Sequence, residues 1–485
     1  MRVDVRPVAR LRAQTPLDVP AALGPVFTEL AASTVDLARL RVVCDWIQYR
    51  ANFRPPVDHR PIFPAPPEDR SGGLEVVVDL RRWAEADLAT AVKETLAEYT
   101  DPGRATGVPL EPWSAGRDGV VWRFNALYWQ ALEAWENASG RGYEGALPGG
   151  RSAARDAEAA RGTIRELFAA WDALDDAGAL PEELYVVEIG VGNGAQARTW
   201  LDAFAELDAA HGRGYLRRLR YLMGDYSPPV LDRARRAVAP YAATVSTLVL
   251  DATRPRETLG FLTGRVFLVY LSNVYDNLPT DEVAVLDGRP YLVQTRAYLP
   301  EADARRIGAA HGVDHAELPT VVERLLRLGP ELLAESRPAS FPDEAAAVTF
   351  WRDVWAALRR AERYVPLDDA YAVAPALGDA PLRALLGHGD MRMHVSNGAA
   401  SAFGDALPLL HPRGSLVCHD LFVTDPAAYR TGFYGPGKYD GSVVNWVNGP
   451  LLRRVAAEHG VDVTIGPFAP RPEANVKTLT ARPRA

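Results

Sequence analysis

The sequence predicts an α/β protein built on a mostly parallel sheet, and three observations predict it. The stretch from Leu184 to Phe204 reads as strand, glycine turn and helix. An apolar run, Leu184 to Val187, ends in Glu188. Gly190, Gly192 and Gly194 follow, and then Ala197, Trp200, Leu201 and Phe204 fall at helical spacing. Next, strands and helices alternate from about 182 to 299, a pattern that calls for parallel strands with helices on both faces. Finally, sheet-forming sequence returns after about 388 and closes with a strand, a helix and two more strands.

Taken in chain order, residues 1–180 form a region expected to be mostly helical and irregular. The proline-rich run 50–73 predicts irregular backbone. Residues 75–99 predict a short strand and a helix. The aromatic stripe 124–135 reads as core, and 152–174 reads as a helix capped by Ser152. Residues 181–299 are the first part of the sheet domain. Strands are expected at 184–187, 219–225, 246–251 and 265–273. Ser227 and Pro228 open a helix after the second of these. Two apolar runs around Asp287-Gly288 predict a hairpin over 283–299. Residues 300–388 read as a helical insertion, a candidate substrate lid. Residues 389–485 complete the domain, with a strand at 414–423, a helix at 451–460 ended by Gly460, and two last strands.

Bulk properties narrow the function classes. The chain has 485 residues, a formal charge of −8, 48% apolar residues and no long basic block, which argues against nucleic acid or an anionic membrane surface as partner. Arginine far outnumbers lysine, which fits a GC-rich genome; the lysines are Lys93, Lys438 and Lys477. The two cysteines, Cys44 and Cys418, stand far apart, so neither a disulfide framework nor structural zinc is supported, and a reducing cytoplasm fits. No secretory segment or membrane span is expected. His311 and His315 have the spacing of a metal pair, but nothing around them supports a site, and no metal is expected.

The glycine turn carries the chemistry. "GVGNGA" formally satisfies the dinucleotide pattern, so a nicotinamide-dependent oxidoreductase has to be weighed. That pattern expects a ribose-binding acid about 20 residues on, whereas the next strand-end acid, Asp225, lies 35 beyond Gly190. An acid also stands two residues before the first glycine.

This arrangement resembles the class I S-adenosylmethionine-dependent methyltransferases, whose first motif is acid-x-Gly-x-Gly-x-Gly, matched by Glu188, Gly190, Gly192 and Gly194. The resemblance implies a Rossmann-like sheet, mostly parallel with the last strand antiparallel, and S-adenosyl-L-methionine as cofactor. It implies that the glycine turn cradles the methionine part and that Glu188 orients its ammonium group. Asp225 would accept from the ribose hydroxyls, Tyr226 would flank the adenine, and Asp251, with Ala252 beside it, would reach the adenine amino group.

A narrower resemblance lies in 271–299, which is similar to the MidA-like methyltransferase family. That family includes complex I assembly factors that methylate a protein arginine. Its members carry Asn-Glu-x-x-Asp-Ala-Leu-Pro after strand four. Asn273, Asp276, Leu278 and Pro279 match, while Val274 stands in place of the Glu, the spacing is one residue shorter, and Asn277 replaces Ala. The resemblance adds Asn273 to the cofactor-binding set. A guanidinium acceptor calls for carboxylates to orient it, and this motif keeps only Asp276.

Candidates for a catalytic role at the carboxyl edge are Asp276, Tyr275 and His419, the last also readable as a structural histidine. The loop 433–452 is either substrate-facing or packed. The expected function is methyl transfer from S-adenosylmethionine to a protein or peptide side chain. A small-molecule acceptor, or a non-catalytic cofactor-binding assembly factor, is the alternative.

Overall fold

The computed structural model describes residues 2–6, 19–45, 52–61, 74–79, 87–100, 107–140, 142–143, 156–286, 288–375, 378, 383, 386–389, 391–430 and 435–484. β1 (Arg2–Arg6), α1 (Val19–Ala32), β2 (Leu40–Asp45), β3 (Val57–Pro61), β4 (Leu74–Asp79) and α2 (Leu88–Thr100) open the chain. Their sheet runs β1-β2-β4-β3, with β3 antiparallel to β4. Leu23, Val26 and Leu30 of α1 and Val92 of α2 pack on Val42, Val76 and Val78. The N-terminal region thus adds a sheet to the helices expected there. Its strands are short, with valine runs in β2 and β4, and β3 falls within the stretch expected to be irregular. Residues 62–73 of that stretch lie outside the described residues, as does Ser152, the expected cap.

β5 (Gly107–Pro109), β6 (Ser114–Ala115), α3 (Val120–Gln130), α4 (Leu132–Ser139) and α5 (Ala157–Asp176) follow. The side chain of Asp156 caps α5 by accepting from Glu158 and Ala159 N–H. The aromatic stripe is core, as Phe124, Leu127, Tyr128, Leu132 and Trp135 are all buried.

The central sheet begins with β7 (Leu184–Ile189), α6 (Ala195–His211), β8 (Leu219–Asp225), α7 (Pro228–Ala237), β9 (Val245–Val249), α8 (Pro255–Leu259) and β10 (Val266–Ser272). Ser227 holds the cap position of α7, yet its hydroxyl donates to Gln130 O, 3.4 Å away, rather than capping the helix.

β11 (Asp281–Leu286) and β12 (Arg289–Pro300) form the expected hairpin, with Leu286 opposite Arg289 and Gly288 at φ +71; Asp287 lies outside the described residues. The hairpin belongs to a second sheet rather than the central one. α9 (Glu301–His311), α10 (Leu318–Ser336) and α11 (Glu344–Ala357) are the expected insertion helices, and β13 (Arg359–Pro366) and β14 (Met391–Val395) then return to the second sheet. Its order is β13-β12-β11-β14, with β5 and β6 also paired to β12. The helices and this sheet share a core with α3 and α4, in which Trp135 meets Trp351 at 4.6 Å between ring centres.

α12 (Asn397–Ala406), β15 (Leu410–Asp420), β16 (Phe422–Val423), β17 (Gly437–Tyr439), β18 (Ser442–Val444), β19 (Val447–Asn448), α13 (Gly449–Glu458), β20 (Val461–Pro467) and β21 (Lys477–Pro483) complete the chain. In the described part of 433–452 the loop is packed. Lys438 Nζ donates to the carbonyls of Ala356 and Leu358 at the end of α11, and Tyr128 and Trp135 donate to Asp440 Oδ2.

The central sheet runs β20-β21-β15-β10-β7-β8-β9. In the sheet's own numbering this is sixth, seventh, fifth, fourth, first, second, third. Every pair is parallel except those made by β21, which is antiparallel to both neighbours. Trp171 of α5, Trp200 and Phe204 of α6 and Leu231 of α7 cover one face. Phe403 of α12 and Leu452 and Val455 of α13 cover the other. Crossovers of this kind bring the carboxyl ends of β7, β8, β9, β10 and β15 to one edge, where open α/β sheets bind ligands.

Candidate active site

The three glycines of the turn after β7 all have positive φ: +75 at Gly190, +54 at Gly192 and +79 at Gly194. A side chain is excluded at two of them by close packing as well as by conformation. A Cβ at Gly190 would meet Val274 Cγ2 at 2.5 Å, and one at Gly194 would meet Ala234 Cα at 2.7 Å. Val274, the residue that departs from the MidA-like motif, therefore fills the space over the first glycine.

The turn is clamped to the end of β8. Gly190 and Val191 N–H donate to Gly224 O, and Gly192 N–H donates to Asp225 Oδ2 at 3.0 Å. Asp225 Oδ1 accepts from Ser227 N–H at 3.2 Å. Burial raises the pKa of Asp225, while these N–H groups pull it back. Leu250 N–H donates to Asp225 O, 2.9 Å away, which draws the end of the third strand alongside.

Glu188 and Asp225 share a face of the sheet, the one lined by Val186, Tyr221 and Met223. Glu188 is buried, and Tyr221 Oη donates to its Oε2 at 2.6 Å. Burial pushes its pKa up to about 8; the nearby negative charge of Asp225 adds to this, and the Tyr221 hydrogen bond opposes it. Burial thus favours the protonated form of Glu188 until a cation stands beside it. Tyr226 and Asp251 stand exposed on the rim with Ala252 half-buried beside them. Asp251 Oδ1 is engaged by Thr253, accepting from its N–H at 2.8 Å and its hydroxyl at 2.7 Å.

The turn after β10 holds the other candidates. Asn273 has φ +53, a conformation rare for a residue with a side chain, and its N–H donates to His419 O. Tyr275 is fully buried with the Val187 and Ile189 face of the sheet, away from Glu188, and its hydroxyl has no hydrogen-bond partner among the described residues. Asp276 is buried, and its Oδ1 accepts from Asn277 Nδ2 at 2.7 Å. His419 is buried between Tyr270 and Phe468, with Nδ1 2.9 Å from Thr478 Oγ1. Burial lowers its pKa to about 4, so the ring is neutral and held within the sheet. The structure thus brings Glu188, the glycines, Asp225 and the 273–277 turn to one edge, with Asp251 at its rim. It turns Tyr275 and His419 into the packing. Of the histidine pair singled out, His311 has Nε2 2.9 Å from Asp353 Oδ2, and His315 has Nδ1 3.3 Å from Asp314 Oδ1.

Several contributors were not foreseen. Asp420, the last residue of β15, has no exposed surface, and its Oδ2 accepts from Val274, Tyr275 and Asp276 N–H at 3.2, 2.8 and 3.3 Å. Its signal was one more acid at a strand end, adjacent to His419. Trp129 Nε1 donates to Asn277 Oδ1 at 3.3 Å, and Asn125 Nδ2 donates to Asn277 O at 2.7 Å. The Tyr143 ring lies edge-on to Trp129, and its hydroxyl would be 2.9 Å from a Cβ on Gly192. Arg233 on α7 pairs with Glu136 on α4 at 2.7 Å. These contacts lay α3 and α4 across the ends of β7, β8 and β10. The cover over the edge therefore comes from the N-terminal region, and the insertion helices back it. Within an aromatic stripe, nothing in the sequence distinguishes the one ring that faces the site.

No family model matches the sequence, and no curated protein matches it significantly. Among solved structures, an uncharacterized protein from Burkholderia thailandensis shares 15% identity over 82% of this chain and 94% of that one, with a TM-score of 0.44. A member of the same superfamily from that organism, bound to S-adenosyl-homocysteine, shares 15% over the same portions at 0.43. The CcbJ methyltransferase from Streptomyces caelestis shares 11% over 67% of this chain and 95% of that one at 0.30. These describe similarity alone. The strand order, the antiparallel β21 and the clamped glycine turn are this chain's own, and they make its central domain a Rossmann-like sheet of the class I methyltransferase type.

Proposed function

We propose that the chain is an S-adenosylmethionine-dependent methyltransferase. The observation that carries this reading is the hydrogen bond from Gly192 N–H to Asp225, which joins the three-glycine turn to the acid of the neighbouring strand at the ligand-binding edge. The sheet argues against a dinucleotide enzyme. That fold runs 3-2-1-4-5-6, whereas here β21 inserts antiparallel between the fifth and sixth strands.

The residues fit the cofactor by chemistry. Gly192 leaves backbone approachable, and the first turn of α6 presents N–H groups to a carboxylate. In this reading Asp225 would accept from the ribose hydroxyls, Tyr226 would flank the adenine and Asp251 would reach its amino group. Bound S-adenosylmethionine would supply a methyl group already activated on a cationic sulfur. The protein then has mainly to position the acceptor and exclude water. Trp129 and Tyr143, held over the edge by Asn277 and α4, are placed to do both.

The acceptor we favour is a protein or peptide side chain other than a guanidinium. Burial disfavours the charged form of Glu188, Asp276 is buried, and the Asp420 carboxylate is taken up by backbone N–H groups, so among the described residues of this edge no free carboxylate pair stands ready to grip a cation. A small-molecule acceptor is the second reading. Calorimetric titration with S-adenosylmethionine and with NAD(H), followed by incubation of the protein and labelled cofactor with peptide and metabolite fractions, tests this. Binding of NAD(H) without S-adenosylmethionine rejects it, and cofactor binding with no label transferred to any fraction leaves the assembly-factor alternative.

A further inference from the structure

β10 and β15 are neighbours, with Ser272 opposite His419, so the turn carrying Asp276 lies over the end of the strand carrying Asp420. Both acids are buried, and Asp276 N–H donates to Asp420 Oδ2 at 3.3 Å, which brings the two side chains to the same spot. They are not equally supplied with donors. Asp420 receives four backbone N–H groups: three on Oδ2 from residues 274–276, and its own neighbour Leu421 on Oδ1 at 2.7 Å. Asp276 Oδ1 receives the Asn277 amide. Two carboxyl groups in contact away from water do not both ionise at neutral pH, and the proton settles on the one with fewer donors.

We propose that Asp276 and Asp420 share one proton, and that Asp420 is a positioning residue that acts through Asp276 and Asn277 to hold Trp129 over the methyl-transfer edge. The proposal rests on the methyltransferase reading for what lies at that edge, though not for the proton itself. With Asp276 as the acid, every donor points the same way. Trp129 N–H donates to Asn277 Oδ1 and Asn277 N–H donates to Asp276 Oδ1, and a protonated Asp276 would in turn donate to Asp420. The backbone N–H groups of 274–276 close the chain on the same anion. If Asp276 ionised, two carboxylates would face each other and the chain would lose its last donor. The directions of shift agree. Burial and then the Asp420 charge push Asp276 well above the usual carboxyl range, while burial takes Asp420 only to about 6 against its N–H donors. The titratable neighbours are Tyr275 of the same turn and Cys418 of β15, both kept neutral by burial.

Two isosteric substitutions separate this from an ordinary role for either acid. In Asp276→Asn the amide reproduces the protonated acid, accepting from Asn277 and donating to Asp420. In Asp420→Asn the anion that ends the chain is gone. The full-length protein and both variants are labelled with carboxyl-13C aspartate and titrated by NMR, and S-adenosylmethionine affinity is measured by calorimetry across the same pH range. The proposal expects one buried aspartate in the wild type to stay protonated through neutral pH, and its signal to be absent from Asp276→Asn. It expects Asp276→Asn to bind S-adenosylmethionine within about twofold of wild type, and Asp420→Asn to bind roughly tenfold or more weakly. Equal losses in both variants, or wild-type aspartates that all titrate in the ordinary range, would overturn it. Absence of S-adenosylmethionine binding by the wild type would reject the methyltransferase reading instead, and the NMR titration would still decide whether the proton is shared.

Discussion

Replacing Glu188 with Gln should change how stability depends on pH more than stability itself. The carboxyl is buried against Tyr221 and sits beside Asp225, and its pKa rises from 4.5 to about 8. The native state therefore keeps a proton that the unfolded chain has released. This contribution to stability is whole below pH 4.5 and is lost as pH rises toward about 8. Each pH unit well inside that window costs about 1.4 kcal/mol, so between pH 5 and pH 7 the wild type should lose about 2–3 kcal/mol relative to the variant. The Gln oxygen can still accept from Tyr221, which keeps the comparison clean. Urea unfolding of both proteins at pH 5, 6 and 7, with matched m-values, reads the difference directly. Parallel slopes would refute the reasoning, because they would mean that Glu188 ionises in the folded protein at its ordinary pKa.

Other substitutions probe the turn and its cover. Asp225→Ala strands Gly192 and Ser227 N–H and should cost about 1–3 kcal/mol of stability, while weakening S-adenosylmethionine binding at least roughly tenfold with the fold retained by circular dichroism. Gly194→Ala combines φ +79 with a 2.7 Å approach to Ala234 Cα and should destabilise by about 2 kcal/mol or more in thermal unfolding. Trp129→Phe keeps the ring and removes the donor to Asn277; it should cost about 1 kcal/mol and, in calorimetric titration, weaken S-adenosylmethionine binding in the same direction as Asp420→Asn, because the ring is no longer tied over the edge. His419→Gln should leave S-adenosylmethionine affinity unchanged, because the imidazole is neutral and tied to Thr478 rather than to the edge.

What could be read from the sequence was what local physics dictates. The strand ending in Glu188, the three glycines and the acid at 225 are adjacent features with strong local signals, and the structure joins 192 to 225 by a hydrogen bond. The Asp287-Gly288 hairpin was equally legible, because a two-residue turn has few solutions. Its sheet was not, because pairing partners such as β14 lie about a hundred residues away and leave no local mark. The same reason hid Asp420, whose significance depends on three N–H groups from a turn nearly 150 residues earlier. Tyr275 and His419 were legible as residues at strand ends, but alternation within a strand, not position at its end, decides whether a side chain faces ligand or core. Trp129 shares its aromatic stripe with Tyr128 and Trp135, which are core; only the placement of α3 over Asn277 sets it apart.

The central claim concerns one edge of one sheet, and a calorimetric titration of the full-length protein with S-adenosylmethionine, repeated with Asp225→Ala, tests it most directly. The account predicts a single saturable site in the wild type, loss of at least roughly tenfold in affinity in the variant, and no comparable response to NAD(H). Equal affinity in the two proteins, or binding of NAD(H) alone, would contradict it.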